Sequence, residues 1–380
     1  MAKISLPIPR GEYAVGTMTF TVCKDREETM YCDPGGVRNV PARVYYPAEK
    51  ESCSGLRKAR YMSQAMVTAI RNTFFLPLSY RKMEKDGRNR SECYTGVPFI
   101  SGKRFPLVFF NHGYISFREG NSFLCTDLAS RGYVVISVGH PYEAMLTEYD
   151  DGTATAAAPK ITSRMYSPRG KGVSALNKLT KTEGTNEQLA TQFDAMQREY
   201  CPFMMGRIPE WEKDTLAALR YAKKNLADII DFECGIGATG HSFGGATAFA
   251  LCEDSDEFTC GINIDGGLWG DHEGKIMRKP FLQLNCEKDK NAAARGFIHH
   301  TAPAFHAVVK NMKHMGFSDM KHMINMKSQM GSLDPDTAHE TVCNIHAEFF
   351  DAFLKGIKDR PDLKSNDVMT FKEYAPDING

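Results

Sequence analysis

The stretch that most constrains this chain is Gly240-His241-Ser242-Phe243-Gly244-Gly245. It follows Ile236-Gly237-Ala238-Thr239, a short apolar run that reads as a buried strand, and precedes Ala246 to Leu251, a small-residue run that reads as a helix. Strand, tight turn and helix are the context that a G-x-S-x-G motif requires. Glycines at 240 and 244 let the backbones of strand and helix approach each other, and the sharp turn lifts the Ser242 hydroxyl out of the fold. The first turn of the helix also offers N–H groups that lack intrahelical partners to a developing negative charge. A glycine-rich turn around an inert buried serine would be spelled the same way, so the catalytic reading stands on partners for Ser242 elsewhere.

The rest of the chain supplies a sheet to carry that turn. Thr17–Val22 and Ala42–Tyr46 read as antiparallel strands, the second bounded by Pro41 and Pro47. Between Tyr61 and Phe75, Met62, Met66, Ile70 and Phe74 recur every four residues, one face of an amphipathic helix. Phe105–Phe110 is a near-continuous apolar run, as expected of a strand buried on both faces, and Ser122–Ser130 reads as a helix leading to a strand at Tyr133–Val138. Residues 139–208 carry no strong strand and read as an insertion with a helical piece near Glu187–Tyr200; Trp211–Leu226 is the next helix. After the Ser242 unit come strands at Phe258–Asp265, Pro280–Asn285 and Ala304–Lys310, the last of the sheet, then a closing helix at Val342–Ile357. This alternation predicts an α/β fold with a doubly wound, mostly parallel sheet, in which ligands bind beyond the carboxyl ends of the strands.

A chain of 380 residues with 42% hydrophobic content fits one large domain, 1–380, with residues 50–104 and 150–208 as cap or pocket insertions. A formal net charge of +1 gives no electrostatic basis for binding nucleic acid. No apolar run has the length of a membrane span, and peripheral contact with a membrane is left open. The N-terminal residues lack the apolar segment of a signal peptide, and the 11 scattered cysteines show no C-x-x-C spacing. Together these predict reduced thiols and a cytoplasmic location. The oligomeric state is left open.

A serine hydroxyl is a weak nucleophile at neutral pH; it needs a base, and the base needs an orienting carboxylate. In sheets of this kind the chain order is serine, acid, histidine. Ser242, Asp265 and His314 obey it, each just after a predicted strand. Asp289, after the following strand, is a rival acid, and His322 a rival base; His299, His300 and His306 lie in a predicted loop or strand that suits a base poorly. The oxyanion donors would be the backbone N–H groups of Phe243 and of Tyr114 in His112-Gly113-Tyr114, with His112 shaping that loop. A metal site built from these histidines and Cys286 lacks ligand spacing.

These residues resemble the α/β-hydrolase fold and, more narrowly, the platelet-activating factor acetylhydrolase family of plasma and type II intracellular enzymes and their bacterial relatives. The resemblance runs through Gly11-Glu12-Tyr13-Ala14-Val15-Gly16-Thr17, Pro106–Gly113 and Asp127–Tyr133. It is closest in Gly240–Thr247 and Cys260–Asp265, and it ends at His314-Met315-Gly316-Phe317-Ser318-Asp319. It implies Ser242 as nucleophile, Asp265 rather than Asp289 as acid and His314 as base. It also implies hydrolysis of a small-molecule ester or phospholipid-like substrate with a short or oxidised acyl chain, without calcium or any cofactor. The chain departs from the family at Asn111, where a serine is common, and at Gly266-Gly267-Leu268-Trp269.

Trp269, Phe317 and Met66 are the expected substrate contacts, and the Met62–Phe74 face is expected to turn inward over a small apolar pocket. Met312, Met315, Met320, Met323, Met326 and Met330 read either as an acyl-pocket wall or as packing under a loop. Lys310, Lys313, Lys321 and Lys327 could meet a phosphate headgroup or simply be solvated. The alternatives to an acetylhydrolase-like serine esterase are a general carboxylesterase, polyester hydrolase or amidase, and a catalytically silent binding protein on the same fold.

Overall fold

Leu107-Val108-Phe109-Phe110 is sealed on both faces, and burying each such side chain contributes roughly 1.5–3 kcal/mol. A strand inside a sheet covered by helices on both sides achieves this. The computed structural model describes residues 6–30, 33, 35–76, 78–165, 171–288, 290–324 and 326–377.

The chain opens with strands β1 (Ala14–Glu27) and β2 (Val37–Ala48). Helices α1 (Gln64–Phe74) and α2 (Tyr80–Lys85) follow, then strands β3 (Tyr94–Thr95) and β4 (Leu107–Asn111). Helix α3 (Ser122–Ser130) crosses to β5 (Val134–Val138). A small hairpin, β6 (Leu146–Glu148) and β7 (Ala154–Ala156), leads to helices α4 (Ile161–Met165), α5 (Lys171–Leu179), α6 (Asn186–Tyr200) and α7 (Pro202–Asn225). Then come β8 (Ile236–His241), α8 (Phe243–Asp254), β9 (Cys260–Ile264), β10 (Phe281–Cys286) and β11 (Ala304–Val309). The short helices α9 (Met320–Met323) and α10 (Lys327–Met330), the long α11 (Pro335–Phe353) and strand β12 (Met369–Tyr374) complete it.

The main sheet has the order β12-β11-β10-β9-β8-β4-β5-β2-β1-β3. The run from β11 to β5 is parallel throughout, while β2 pairs antiparallel with β5 and β1 antiparallel with β2. The chain winds outward from β4 to β5 on one side and returns to β8 on the other. That reversal places a crevice at the carboxyl ends of β4 and β8, where doubly wound sheets bind ligands. No helix among the described residues is long and apolar enough to cross a membrane.

Four elements differ from expectation. β11 is not the last strand: β12 pairs antiparallel along it, and its residues are mostly exposed or half-buried, so it carries no apolar signature. Helix α7 begins at Pro202, nine residues before Trp211, and runs through Pro209. Pro202 sits where an N–H would be unpaired in any case, and Met204, Arg207 and Ile208 bury the added turns. Helix α11 starts at Pro335 because the Asp334 side chain accepts the N–H groups of Asp336 and Thr337, and it stops at Phe353. β2 also runs through Pro41 and Pro47 rather than between them.

Candidate active site

Ser242 sits between β8 and α8 with φ 58° and ψ −119°, a conformation that costs a non-glycine residue strain. The surroundings over-determine it. Its N–H donates to the Ile264 carbonyl at 2.7 Å, and its carbonyl accepts from Gly245 and Ala246. A side chain on Gly240 would run into the Gly244 carbonyl, and one on Gly244 into the Asn111 carbonyl. The spacing of small residues in the motif is thus a packing requirement between β8, β4 and α8.

The His314 ring reaches this serine from the turn after β11. Its Nε2 lies 3.0 Å from Ser242 Oγ and its Nδ1 2.8 Å from Asp265 Oδ2. Asp265, just past β9, also accepts the Cys286 N–H at 2.7 Å through Oδ1. The Asp265 carboxylate is completely sealed, whereas the His314 side chain keeps 36% of its surface exposed. Accepting from Nδ1–H, Asp265 leaves Nε2 bare to take the Ser242 hydroxyl proton, so the chain of three groups can move a proton off the serine as it attacks.

The second residue of the motif, His241, has a part that the sequence did not suggest. His241 Nε2–H donates to the His314 carbonyl at 3.0 Å, fixing the backbone that carries the His314 ring. Burial, with the neighbouring His314 adding to it, pushes His241 down to about 3, so it stays a neutral donor. Among the rival histidines, His300 bonds the Ala302 carbonyl, His306 lies on β11, and His322 stands 3.9 Å from Asp336. Asp289 lies outside the described residues.

Facing the serine is the loop after β4. A Cβ placed on Gly113 would sit 3.3 Å from Ser242 Cβ. No hydrogen bond among the described residues takes up the N–H of Phe243 or of Tyr114. Their rings share a platform: Trp211 of α7 packs against Phe243 at 4.8 Å and stacks with Tyr114 at 5.9 Å. Nothing in the sequence local to α7 reveals what Trp211 supports.

In front of the serine lies a cavity of about 310 Å³ walled by Ile70 and Phe74 of α1, Ile115, Met145, Met315 and Met320. Thr162 of α4 adds to the wall. None of the three expected contacts lines it. Trp269 packs on Phe193, 5.1 Å between centroids, and Phe317 is buried behind His241. Met66 is buried with Tyr61 and Met62 one turn deeper than the cavity reaches along α1. The inward face of α1 therefore divides: Ile70 and Phe74 face the cavity, while Met62 and Met66 anchor the helix. The methionine run divides likewise, with Met315 and Met320 on the wall and Met312, Met323 and Met330 buried in packing. Three of the four lysines bond carbonyls, Lys310 to Asn366, Lys313 to Ser328 and Lys321 to Met330.

Comparisons with known proteins identify the family and the fold. The family described as platelet-activating factor acetylhydrolase, isoform II, matches residues 1–366. The platelet-activating factor acetylhydrolase of Cavia porcellus is 24% identical over 278 residues, covering 68% of this chain and 59% of that protein. That of Canis lupus familiaris is 27% identical over 199 residues, 50% of this chain and 42% of that one. The chain thus spans only about half the length of these relatives. The solved ferulic acid esterase of Streptomyces cinnamoneus superposes with a TM-score of 0.69 at 21% identity, covering 97% of this chain and 99% of the other. The fold is that of an α/β-hydrolase.

Proposed function

Since the chain belongs to the platelet-activating factor acetylhydrolase isoform II family, we propose that it is a serine esterase acting on acyl esters with short chains, through an acyl-enzyme on Ser242. The observation that carries this is the unbroken chain of hydrogen bonds from Asp265 through His314 to Ser242. His314 takes the hydroxyl proton as Ser242 attacks the acyl carbonyl, and the N–H groups of Phe243 and Tyr114 receive the oxyanion. His314 then gives the proton to the leaving alkoxide and activates water to release the acid. The relatives named as acetylhydrolases support an acetyl-sized acyl group, and the apolar cavity beside Ser242 supports a chain rather than a charged acid. The segments around α1 and α4 act as a cap over that cavity.

The test is labelling with a fluorophosphonate probe together with turnover of p-nitrophenyl acetate and butyrate. Both should be present in the wild type and lost in Ser242→Ala. Labelling at another residue, or turnover that survives the substitution, would remove Ser242 from the mechanism.

A further inference from the structure

The oxyanion donor at Tyr114 depends on how its peptide plane is turned, and the structure shows what turns it. A trans peptide points its C=O and its N–H in opposite directions. The C=O of the Gly113–Tyr114 unit is pinned by two donors, His112 Nδ1 at 2.8 Å and the Ser116 N–H at 2.9 Å. The Tyr114 N–H must therefore point away from His112. His112 can donate from Nδ1 only in one tautomer, and that tautomer is fixed from behind. The backbone N–H of His140 reaches His112 Nε2 at 3.3 Å, and since a backbone N–H can only donate, Nε2 is the bare nitrogen.

His140 is held in turn. Its Nδ1 lies 2.8 Å from Asp214 Oδ2, and its Nε2 lies 3.0 Å from Asn111 Oδ1 at the end of β4. Its ring stacks on Trp211 at 3.6 Å. Asp214 is locked by Arg38, which reaches both its oxygens at 2.8 and 2.6 Å. Every one of these side chains is buried: His112, His140, Asp214 and Arg38 are each 0% exposed. Burial, reinforced by His140, pushes His112 down to about 3, which leaves one proton on its ring across the neutral range.

We infer that Asp214, His140 and His112 form a second histidine–carboxylate chain, separate from Asp265 and His314, whose task is to hold the Tyr114 N–H toward the oxyanion. These are positioning residues; none touches the substrate. The inference rests on the esterase reading above. It says that donor capacity at the Nδ1 position of His112, not the imidazole as such, is what the reaction needs.

Two substitutions separate those possibilities. In His112→Asn the side-chain amide can place an N–H near the lost Nδ1–H, while His112→Leu fills the space with no donor. For p-nitrophenyl acetate, His112→Leu should lower kcat by about 10²–10³-fold, the effect of losing one oxyanion donor, with KM changed by less than about threefold. His112→Asn should recover most of that loss. Equal losses in both variants, or wild-type kcat in His112→Leu, would overturn the inference. A reading independent of turnover comes from nitrogen NMR of the wild-type rings. His112 should show a neutral Nδ1–H tautomer from pH 5 to 9, and a proton on Nε2 or a titration in that range would also overturn it. Absence of Ser242-dependent turnover in the wild type would instead count against the esterase reading, and the tautomer measurement would still judge the wiring of the loop.

Discussion

The wall behind Gly113 and Tyr114 is built from charges and hydrogen bonds, whereas the wall in front of Ser242 is built from methionine and aliphatic side chains. Behind, Arg38 sits with no exposure between Asp214 at 2.6 Å, Glu28 at 2.9 Å and Glu143 at 3.5 Å, and Arg207 closes the group at 2.9 Å from Glu143. Burial alone would raise the Asp214 carboxyl; Arg38 and His140 override it and hold the group well below the usual range. Such a network has one satisfied arrangement, and breaking it strands a charge at a cost of roughly 3–5 kcal/mol. In front, Met145, Met315 and Met320 have several rotatable bonds each and a soft sulfur, so that wall can repack around different shapes. Under the proposed mechanism the contrast divides labour: the polar wall holds the reacting geometry, and the apolar wall sorts substrates. Changes behind Ser242 should therefore alter kcat or stability for all esters alike, and changes in front should alter which ester is preferred.

The largest effect belongs to the polar side. Asp265→Asn keeps the shape of the acid but can donate to His314 Nδ1, which favours the tautomer that protonates Nε2 and blocks removal of the Ser242 proton. kcat should fall about 10⁴-fold, equally for acetate and butyrate esters, with little change in thermal midpoint. A loss that differs strongly between the two esters would show that Asp265 shapes the pocket and would blur the division between the walls.

That division also explains which parts were legible in the sequence. The elbow could be read because strand, small residues and helix are contiguous, and sterics at Gly240 and Gly244 allow little else. The order of Ser242, Asp265 and His314 was readable because each follows an apolar strand, and the parallel sheet brings strand ends together. The wall behind was not readable: Asp214 lies 176 residues from Arg38 and 74 from His140 along the chain, the three stand on β2, after β5 and in α7, and each looks like an ordinary polar residue until β2 and α7 pack on the sheet. Pocket contacts failed for a different reason. Four-residue spacing marks the buried face of α1, but periodicity does not tell which turn of a buried face meets a cavity and which meets core; Met66 and Ile70 share that face, and only Ile70 lines the cavity. β12 is hard to read because it is a short edge strand whose alternation, Met369-Thr370-Phe371-Lys372, breaks at Glu373.

A smaller effect should come from acid, and again it belongs to the polar side. His112 and His241 are pushed down to about 3, and His346, buried beneath β8, to about 4, in each case first by burial. Free in the unfolded chain, a histidine takes up a proton near pH 6.5. Below that value the unfolded state binds protons that the native state refuses, so the stability these residues contribute is complete above about pH 6.5 and declines as pH falls toward about 4. Each contributes up to about 1.4 kcal/mol per pH unit within that window. Urea midpoints measured between pH 7.5 and 5 should drop accordingly, and His346→Gln should flatten the slope by about one histidine's share. A slope unchanged by that substitution would mean that His346 charges within the native state, and that burial at this position is looser than its zero exposure implies.

The smallest effect, and the one that tests the apolar wall directly, is a change of preference. Ile70 is fully buried yet borders the cavity, so its side chain both supports α1 and sets the cavity's depth. Ile70→Ala should deepen the cavity at a stability cost of about 2–5 kcal/mol, so rates must be taken well below the thermal midpoint. Each additional methylene that then fits is worth about 1–3 kcal/mol at most, which caps the gain for one longer homologue at roughly 10–200-fold and makes a shift of one or two carbons the realistic result. Ile70→Trp should do the reverse, leaving acetate turnover within about threefold while butyrate and hexanoate esters fall steeply, because a filled cavity rejects by overlap rather than by weaker attraction. Met320→Leu nearly conserves volume and should move the profile least. The division between walls predicts that Asp265→Asn, introduced into each of the three variants, still lowers acetate kcat by about 10⁴-fold, since none of them touches the chain of hydrogen bonds to Ser242. Should Ile70→Trp lower acetate kcat as much as it lowers that for hexanoate, the cavity wall would be holding the reacting geometry as well, and the two walls would be a single unit.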